Sequence, residues 1–223
     1  WKEDTAKWAL FNREIRFYKE NQQLFGTLNE RWNAQKNSWE NYDRSLKSYN
    51  DQDKLIESLQ QQWSPSQEKW VNLKLKTISY DRYGNKKDVL YHEWQQAAGQ
   101  WFSTVRYLIE YNTLGEQKEV LLKLYSPATE SWSNHTRYTF IYNDGVGPPD
   151  ETLVESWNNF TESWDNRGKY YMHYNIKGHK VRETRSTWNE NMNQWINGLR
   201  YLMDYENRKL TREIEQRWDY KEQ

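Results

Sequence analysis

The stretch that decides the fold runs Trp63-Ser-Pro-Ser-Gln-Glu-Lys-Trp70-Val-Asn-Leu-Lys-Leu-Lys-Thr-Ile-Ser-Tyr80-Asp-Arg-Tyr-Gly84-Asn-Lys-Lys-Asp-Val-Leu-Tyr-His-Glu-Trp94. Asp81 and Gly84 hold the first and fourth positions of a type I turn, where glycine supplies the positive φ that closes a short hairpin loop. The residues on either side alternate in polarity with a period of two and are rich in aromatic and branched side chains, which is the pattern of strands. The segment from Trp70 to Trp94 therefore reads as one β-hairpin. The six residues between Trp63 and Trp70 connect it to its predecessor, with the two rings facing each other across that connection.

Working outward, the same marks recur along the whole chain with a period of about 31 residues, the signature of a repeat architecture. One column contains Trp1, Trp32, Trp63, Trp94, Tyr125, Trp157, Trp188 and Trp218, and a second, seven residues later, contains Trp8, Trp39, Trp70, Trp101, Trp132, Trp164 and Trp195. These columns hold all fourteen tryptophans. Ten residues beyond the second column stand Tyr18, Tyr49, Tyr80, Tyr111, Tyr142, Tyr174 and Tyr205, and Gly115 and Gly178 repeat the role of Gly84. The units are 1–31, 32–62, 63–93, 94–124, 125–156, 157–187 and 188–217, with a partial unit at 218–223. Unit five is one residue longer, and its insertion, Asn143-Asp-Gly-Val-Gly-Pro-Pro-Asp150, falls in the expected turn.

The expected fold is all-β: a tandem array of about seven hairpins forming one continuous antiparallel meander, twisted or superhelical. The pattern is equally compatible with an open, a coiled or a closed sheet. Helix is the competing reading, because Trp-x6-Trp is heptad-like. It is disfavoured by only six alanines in the chain, by the turns and by the alternation. The segments 55–62 and 208–216 look most helical.

If Tyr80 pairs with Lys86, an uninterrupted ladder sets Trp94 opposite Asn72. Uninterrupted alternation also puts Trp132, Asn134, Thr136, Tyr138, Phe140 and Tyr142 on one face. On the other face it puts a basic column of Arg13, Arg44, Arg106, Arg137, Lys169 and Arg200, broken only by Leu75. Glu57, Asp88, Glu119 and Glu151 are the expected partners of that column in cross-strand salt bridges.

Composition excludes several function classes. Thirty-two basic and thirty-two acidic residues cancel, so charge favours neither nucleic acid nor an anionic membrane. No window approaches 18 consecutive apolar residues, so no membrane span is expected. Without cysteine there are no disulfides or thiolate metal sites. A mean hydropathy of −1.26 would indicate disorder were the chain not 17% aromatic, so burial here must be carried by Trp and Tyr.

The unit Trp-x6-Trp-x-Asn, followed by Tyr-[Asp/Asn]-x2-Gly, resembles the Trp/Tyr-rich β-hairpin repeats of secreted and surface proteins of Bacteroidota-type bacteria. Trp70, Asn72, Tyr80, Asp81, Gly84 and Asn85 carry the likeness, and Trp164, Asn166, Tyr174, Asn175 and Gly178 repeat it. The likeness covers the whole chain, but Gln22, Asp53 and Lys209 stand where glycine is expected. It implies an extracellular or cell-surface location. More distantly, the turn resembles tyrosine–aspartate repeats of shell-forming toxins, and Trp-x6-Trp resembles choline-type cell-wall-binding repeats.

Catalytic motifs are missing. His92, His135, His173 and His179 sit at non-equivalent positions with no ligand spacing, and neither a nucleophile elbow nor a phosphate loop is present. A periodic sequence also offers no singular carboxylate pair. The chain reads as non-enzymatic and without cofactor: an adhesin stalk, scaffold or envelope component that binds protein, or itself through its end strands. The alternative is a carbohydrate-binding module that stacks sugars on exposed rings. Tyr125 and the turn insertion mark unit five, so Tyr125, Trp132, Tyr142, Trp157 and Trp164 are the candidate ligand residues. The remaining marks, Trp63, Trp70, Tyr80, Gly84, Trp94, Trp101, Tyr111, Gly115, Tyr174, Gly178, Trp188, Trp195 and Tyr205, read as structural.

Overall fold

A computed structural model describes residues 9–143 and 147–219. The opening residues with Trp1 and Trp8, and Gly145 of the insertion, lie outside the described residues. Fourteen strands follow one another: β1 (Asn12–Tyr18), β2 (Leu24–Asn33), β3 (Ser38–Tyr49), β4 (Leu55–Ser64), β5 (Lys69–Tyr80), β6 (Lys86–Gln95) and β7 (Gln100–Tyr111). They continue as β8 (Gln117–Ser126), β9 (Ser131–Ile141), β10 (Glu151–Asn158), β11 (Ser163–Tyr174), β12 (Lys180–Asn189), β13 (Gln194–Glu206) and β14 (Lys209–Arg217). The strand order in the sheet is the sequence order, so the fold is an antiparallel meander of hairpins that does not close on itself. The helix-like segments 55–62 and 208–216 are strand, in β4 and β14.

The described residues divide into two compact units, 9–79 with 89–104, and 80–88 with 105–219. The first carries the register from β1 to β5, and the second the register from β7 to β14. Each unit has little core of its own. Among the described residues the buried apolar side chains are Ile78 and Val89 in the first unit and Met203 in the second, and none is wholly enclosed. Stability must come from ladder hydrogen bonds and same-face contacts between neighbouring strands.

Glycine is needed where the sequence placed it. Gly84, Gly115 and Gly178 have φ of 84°, 83° and 77°, and each donates its N–H to the residue opening its turn. Asp81, Asn112 and Asn175 fix these turns from inside, each Oδ1 accepting the backbone N–H groups two and four residues on. Gln22 and Asp53 take the same left-handed conformation without glycine. The last turn differs from expectation. It has two residues, Asn207 and Arg208, both at positive φ, so Arg208 and not Lys209 takes the left-handed place.

Two irregularities correct the expected register. A bulge beside the tyrosine shifts the ladder by one. Tyr49 pairs with Leu55 but Ser48 pairs with Glu57, so Gln62 meets Asp43 where an even ladder would give Tyr42. A second bulge lies three residues after the second-column Trp. Adjacent Leu122 and Lys123 pair with Thr136 and Asn134, leaving His135 unpaired. Adjacent residues point to opposite faces, so Asn134 and Thr136 do too, and alternation along β9 is inverted beyond the bulge. The same bulge falls at Tyr42, Leu73, Arg167 and Gly198. The basic column therefore shares the tryptophan face, and Thr136, Tyr138, Phe140 and Tyr142 occupy the other.

Candidate functional site

Among the described residues the tryptophan face is built from six ring pairs, each flanking a four-residue loop. Trp32–Trp39, Trp63–Trp70, Trp94–Trp101, Tyr125–Trp132, Trp157–Trp164 and Trp188–Trp195 have centroids 5.0–5.4 Å apart and interplanar angles of 63–70°. This edge-to-face geometry sets the positive rim of one ring against the negative face of the other, about 0.5–1.5 kcal/mol per pair beyond burial. The loops are fixed by the residue after the first ring. Asn33 and Asn158 each accept two loop N–H groups, and Asn189 accepts that of Met192.

Behind the rings runs a ladder of cations. Arg13 lies over Trp39 at 4.7 Å, Arg44 over Trp70 at 4.5 Å, Arg137 over Trp164 at 4.7 Å and Lys169 over Trp195 at 5.2 Å. Each cation covers the second-column ring of the next unit, so the repeats are stitched on this face as well as along the ladder. Each is also held sideways. Arg13 donates to Glu30 at 2.5 Å, Arg44 to Gln61 at 2.6 Å, Arg137 to Glu155 at 2.7 Å and Arg200 to Gln216 at 2.8 Å, all directly opposite pairs. The acceptors Glu30, Gln61 and Glu155 are buried.

Of the expected acidic partners, Asp88 pairs with Arg106 at 2.6 Å and Glu151 with Lys169 at 3.0 Å. Elsewhere the partner is the residue two before the first column, because the bulges move the register. Charge follows partner. The Asp88 and Glu155 carboxylates raise the pKa of Arg106 and Arg137 by accepting their hydrogen bonds. Burial depresses that of Arg44, whose partner Gln61 is neutral. For Lys169, burial pulls downward and the Glu151 carboxylate outweighs it.

The tyrosine column anchors the opposite ends of the hairpins. Tyr49, Tyr111 and Tyr142 donate their hydroxyls to the carbonyls of Leu24 at 2.7 Å, Lys86 at 2.9 Å and Gln117 at 2.9 Å, each 25 residues back. These bonds tie each turn to its predecessor. Burial raises the pKa of Tyr80, Tyr142 and Tyr174.

The unit-five candidates separate into two places. Tyr125 and Trp132 pair, Trp157 and Trp164 pair, and Arg137 bridges from β9 to Trp164. Tyr142 stands ten residues beyond Trp132, just past the end of β9, and its hydroxyl donates to the Gln117 carbonyl. Tyr125 reproduces the geometry of the tryptophan pairs, so its substitution leaves the lattice intact. His179 stacks on Tyr205 at 4.7 Å, and His173 meets Arg182. Among the described residues no group of three or more His, Asp or Glu side chains converges as metal ligands would.

Sequence reading missed a cavity of about 320 Å³ on the tryptophan face of β11–β14, lined by Tyr171, His173, Arg182, Thr184, Arg200 and Trp218, among others. A signal for it exists: Thr184 interrupts a column of leucines and Arg182 a column of acids. Seeing it requires knowing that both columns share the face of the rings.

No family model matches this chain, and no curated protein matches it. Among solved structures it is similar to a Bacteroides fragilis protein of unknown function, at 19% identity and a TM-score of 0.48, over 58% of this chain and 91% of that one. A DUF3836 family protein from Parabacteroides distasonis aligns at 15% identity and a TM-score of 0.34, over 43% of this chain and 89% of that one. A porin-like protein from Bacteroides uniformis aligns at 9% identity and a TM-score of 0.37, over 91% and 86%.

Proposed function

We propose that this chain is a non-enzymatic repeat module of the cell surface or extracellular space, an adhesin stalk, scaffold or envelope-complex component that works through protein–protein contacts. The observation that supports this reading is the division of labour among its apolar side chains. The paired column rings are engaged with one another and with cations, whereas Leu114, Phe160, Ile176 and Met192 sit exposed at loop tips. Phe160 and Ile176 are 96% and 103% exposed, an arrangement suited to contact with another protein. The extracellular placement rests on the resemblance of the repeat. In the self-associating version of this reading β14, exposed along its whole length, pairs with a strand of a partner or a second copy.

Polysaccharide binding is the second reading. The observation in its favour is that the paired column rings are half-buried and none of them is fully enclosed, so part of each remains open for stacking on a sugar.

Collisional quenching of Trp fluorescence, with and without a panel of cell-wall and plant polysaccharides, separates the two. The scaffold reading predicts shielded rings and an unchanged spectrum, and a polysaccharide that protects a quenchable subset would replace it with the second. Light scattering tests the self-pairing version, which a concentration-independent monomer would remove.

A further inference from the structure

Four residues before the first column, five successive units carry Leu28, Leu59, Leu90, Leu121 and Leu153 on the tryptophan face, and the sixth carries Thr184. Six residues before it stand Glu57, Asp88, Glu119 and Glu151, and then Arg182. Both departures fall on β12, and the cavity described above opens around them. The repeat is broken there in its chemistry while its backbone continues, which is how a site is set into a lattice.

The departures concentrate positive charge. Thr184 pairs with Arg200, and Arg182, two residues back on the same face, is its diagonal neighbour, within reach of one shared group. Elsewhere on this face Arg13, Arg106, Arg137 and Lys169 each meet a carboxylate. Arg200, like Arg44, donates to a neutral amide, here Gln216, and Arg182 beside it donates to Nε2 of His173, which must accept because a guanidinium has no acceptor atom. Among the described residues neither arginine is paired with a carboxylate, and the buried Nε–H of Arg182 has no acceptor. Two guanidinium groups with unspent donors make a fork for a carboxylate.

The rest of the wall is aromatic and hydroxyl-matching. Tyr171 lies opposite Thr184 across the β11–β12 ladder. Trp218, its backbone N–H bonded to the Gly198 carbonyl at 2.9 Å, keeps 45% of its surface open. Thr184, Asn197 and Gln216 add hydroxyl and amide groups. A volume of about 320 Å³ admits one pyranose-sized ligand. We propose that this cavity binds an acidic sugar residue, its carboxylate held between Arg182 and Arg200 and its ring face laid on Trp218 or Tyr171. Such flat rings and hydroxyl partners suit a uronate better than a peptide terminus, which would require an apolar sleeve for its last side chain. The proposal rests on the second reading, polysaccharide binding, and narrows it to one cavity and one acidic sugar; a polysaccharide that protects other rings while both β12 variants change nothing would defeat the proposal and leave that reading standing.

The test is calorimetric titration of the full chain with trigalacturonate, with uncharged galactotriose, and with a short peptide ending in a free carboxylate. Trigalacturonate should bind, more weakly as salt is added, and the other two should not. Arg182→Glu and Thr184→Leu restore residues that other units carry at these positions, so both variants should keep the circular dichroism and melting temperature of the parent. Each should lower the affinity at least about tenfold, the scale of losing one charged hydrogen bond or the space it needs. Arg44→Gln, on the same face far along the chain, should leave binding unchanged. Absence of uronate binding at millimolar concentration, binding indifferent to both β12 variants, or tighter binding of the peptide would each overturn the assignment.

Discussion

The two ends of each hairpin solve the same problem with different chemistry. At the tryptophan end a four-residue loop is closed by two rings set edge to face, and its last residue takes positive φ with a side chain in place: Asn37, Glu68, Glu130, Glu162 and Asn193, with glycine only at Gly99. At the tyrosine end a looser ring pair, Phe17 and Phe25 at 6.2 Å, spans the first turn. At this end the backbone is held by Asp or Asn caps, the left-handed residue is glycine at Gly84, Gly115 and Gly178 but Gln22, Asp53 and Arg208 at other turns, and a tyrosine hydroxyl reaches the preceding turn. The tryptophan end holds its loops mainly by side-chain contact, and the tyrosine end mainly by the cap and backbone geometry of the turn.

The largest consequence concerns the rings. Trp70→Ala removes an edge partner of Trp63 and the surface under Arg44, and should cost about 3 kcal/mol in urea denaturation; a loss below that of any turn variant would break the comparison. Gly115→Ala places a Cβ at φ 83° with no ring pair to compensate, and should cost about 1 kcal/mol. Tyr111→Phe removes the hydroxyl bonded to the Lys86 carbonyl at 2.9 Å, again about 1 kcal/mol, without disturbing the neighbouring tryptophan pair in fluorescence. Glu68→Gly should act in the opposite sense, raising stability by about 0.5 kcal/mol as the strain at φ 47° is relieved.

The smallest effect is electrostatic and lies on the face away from the rings. Burial pushes the Glu183 carboxyl up, but hydrogen bonds from Lys180 and Arg185 outweigh it and leave the pKa lowered. A carboxyl with a depressed folded pKa stabilises the fold above its unfolded value, about 4.3, and that contribution is lost as pH falls through this region toward the folded value. Thermal melts from pH 6 down to about 3 should therefore decline less steeply for Glu183→Gln than for the parent.

Period, hairpins, glycine turns and ring pairing were legible because each needs a particular residue type at a fixed place. The bulge after the second tryptophan was not. It falls on Tyr42, Leu73, His135, Arg167 and Gly198, residues with nothing in common, because the bulge is required by the ladder and not by the side chain that occupies it. Missing it reversed the face of the basic column and hid the relation of arginine to tryptophan. Unit five, marked in sequence by Tyr125 and its longer turn, keeps regular ring geometry, whereas the chemically unusual place lies on β12, where the repeat length is unchanged.

The shared face of cations and rings is tested most directly by a double-mutant cycle on Arg137 and Trp164, whose guanidinium and ring centre lie 4.7 Å apart. Arg137→Gln, Trp164→Leu and the double variant should show a coupling of about 0.5–1 kcal/mol in urea denaturation. Strict additivity would mean that arginine and tryptophan lie on opposite faces after all, and would contradict the bulged register on which the ladder of the tryptophan face depends.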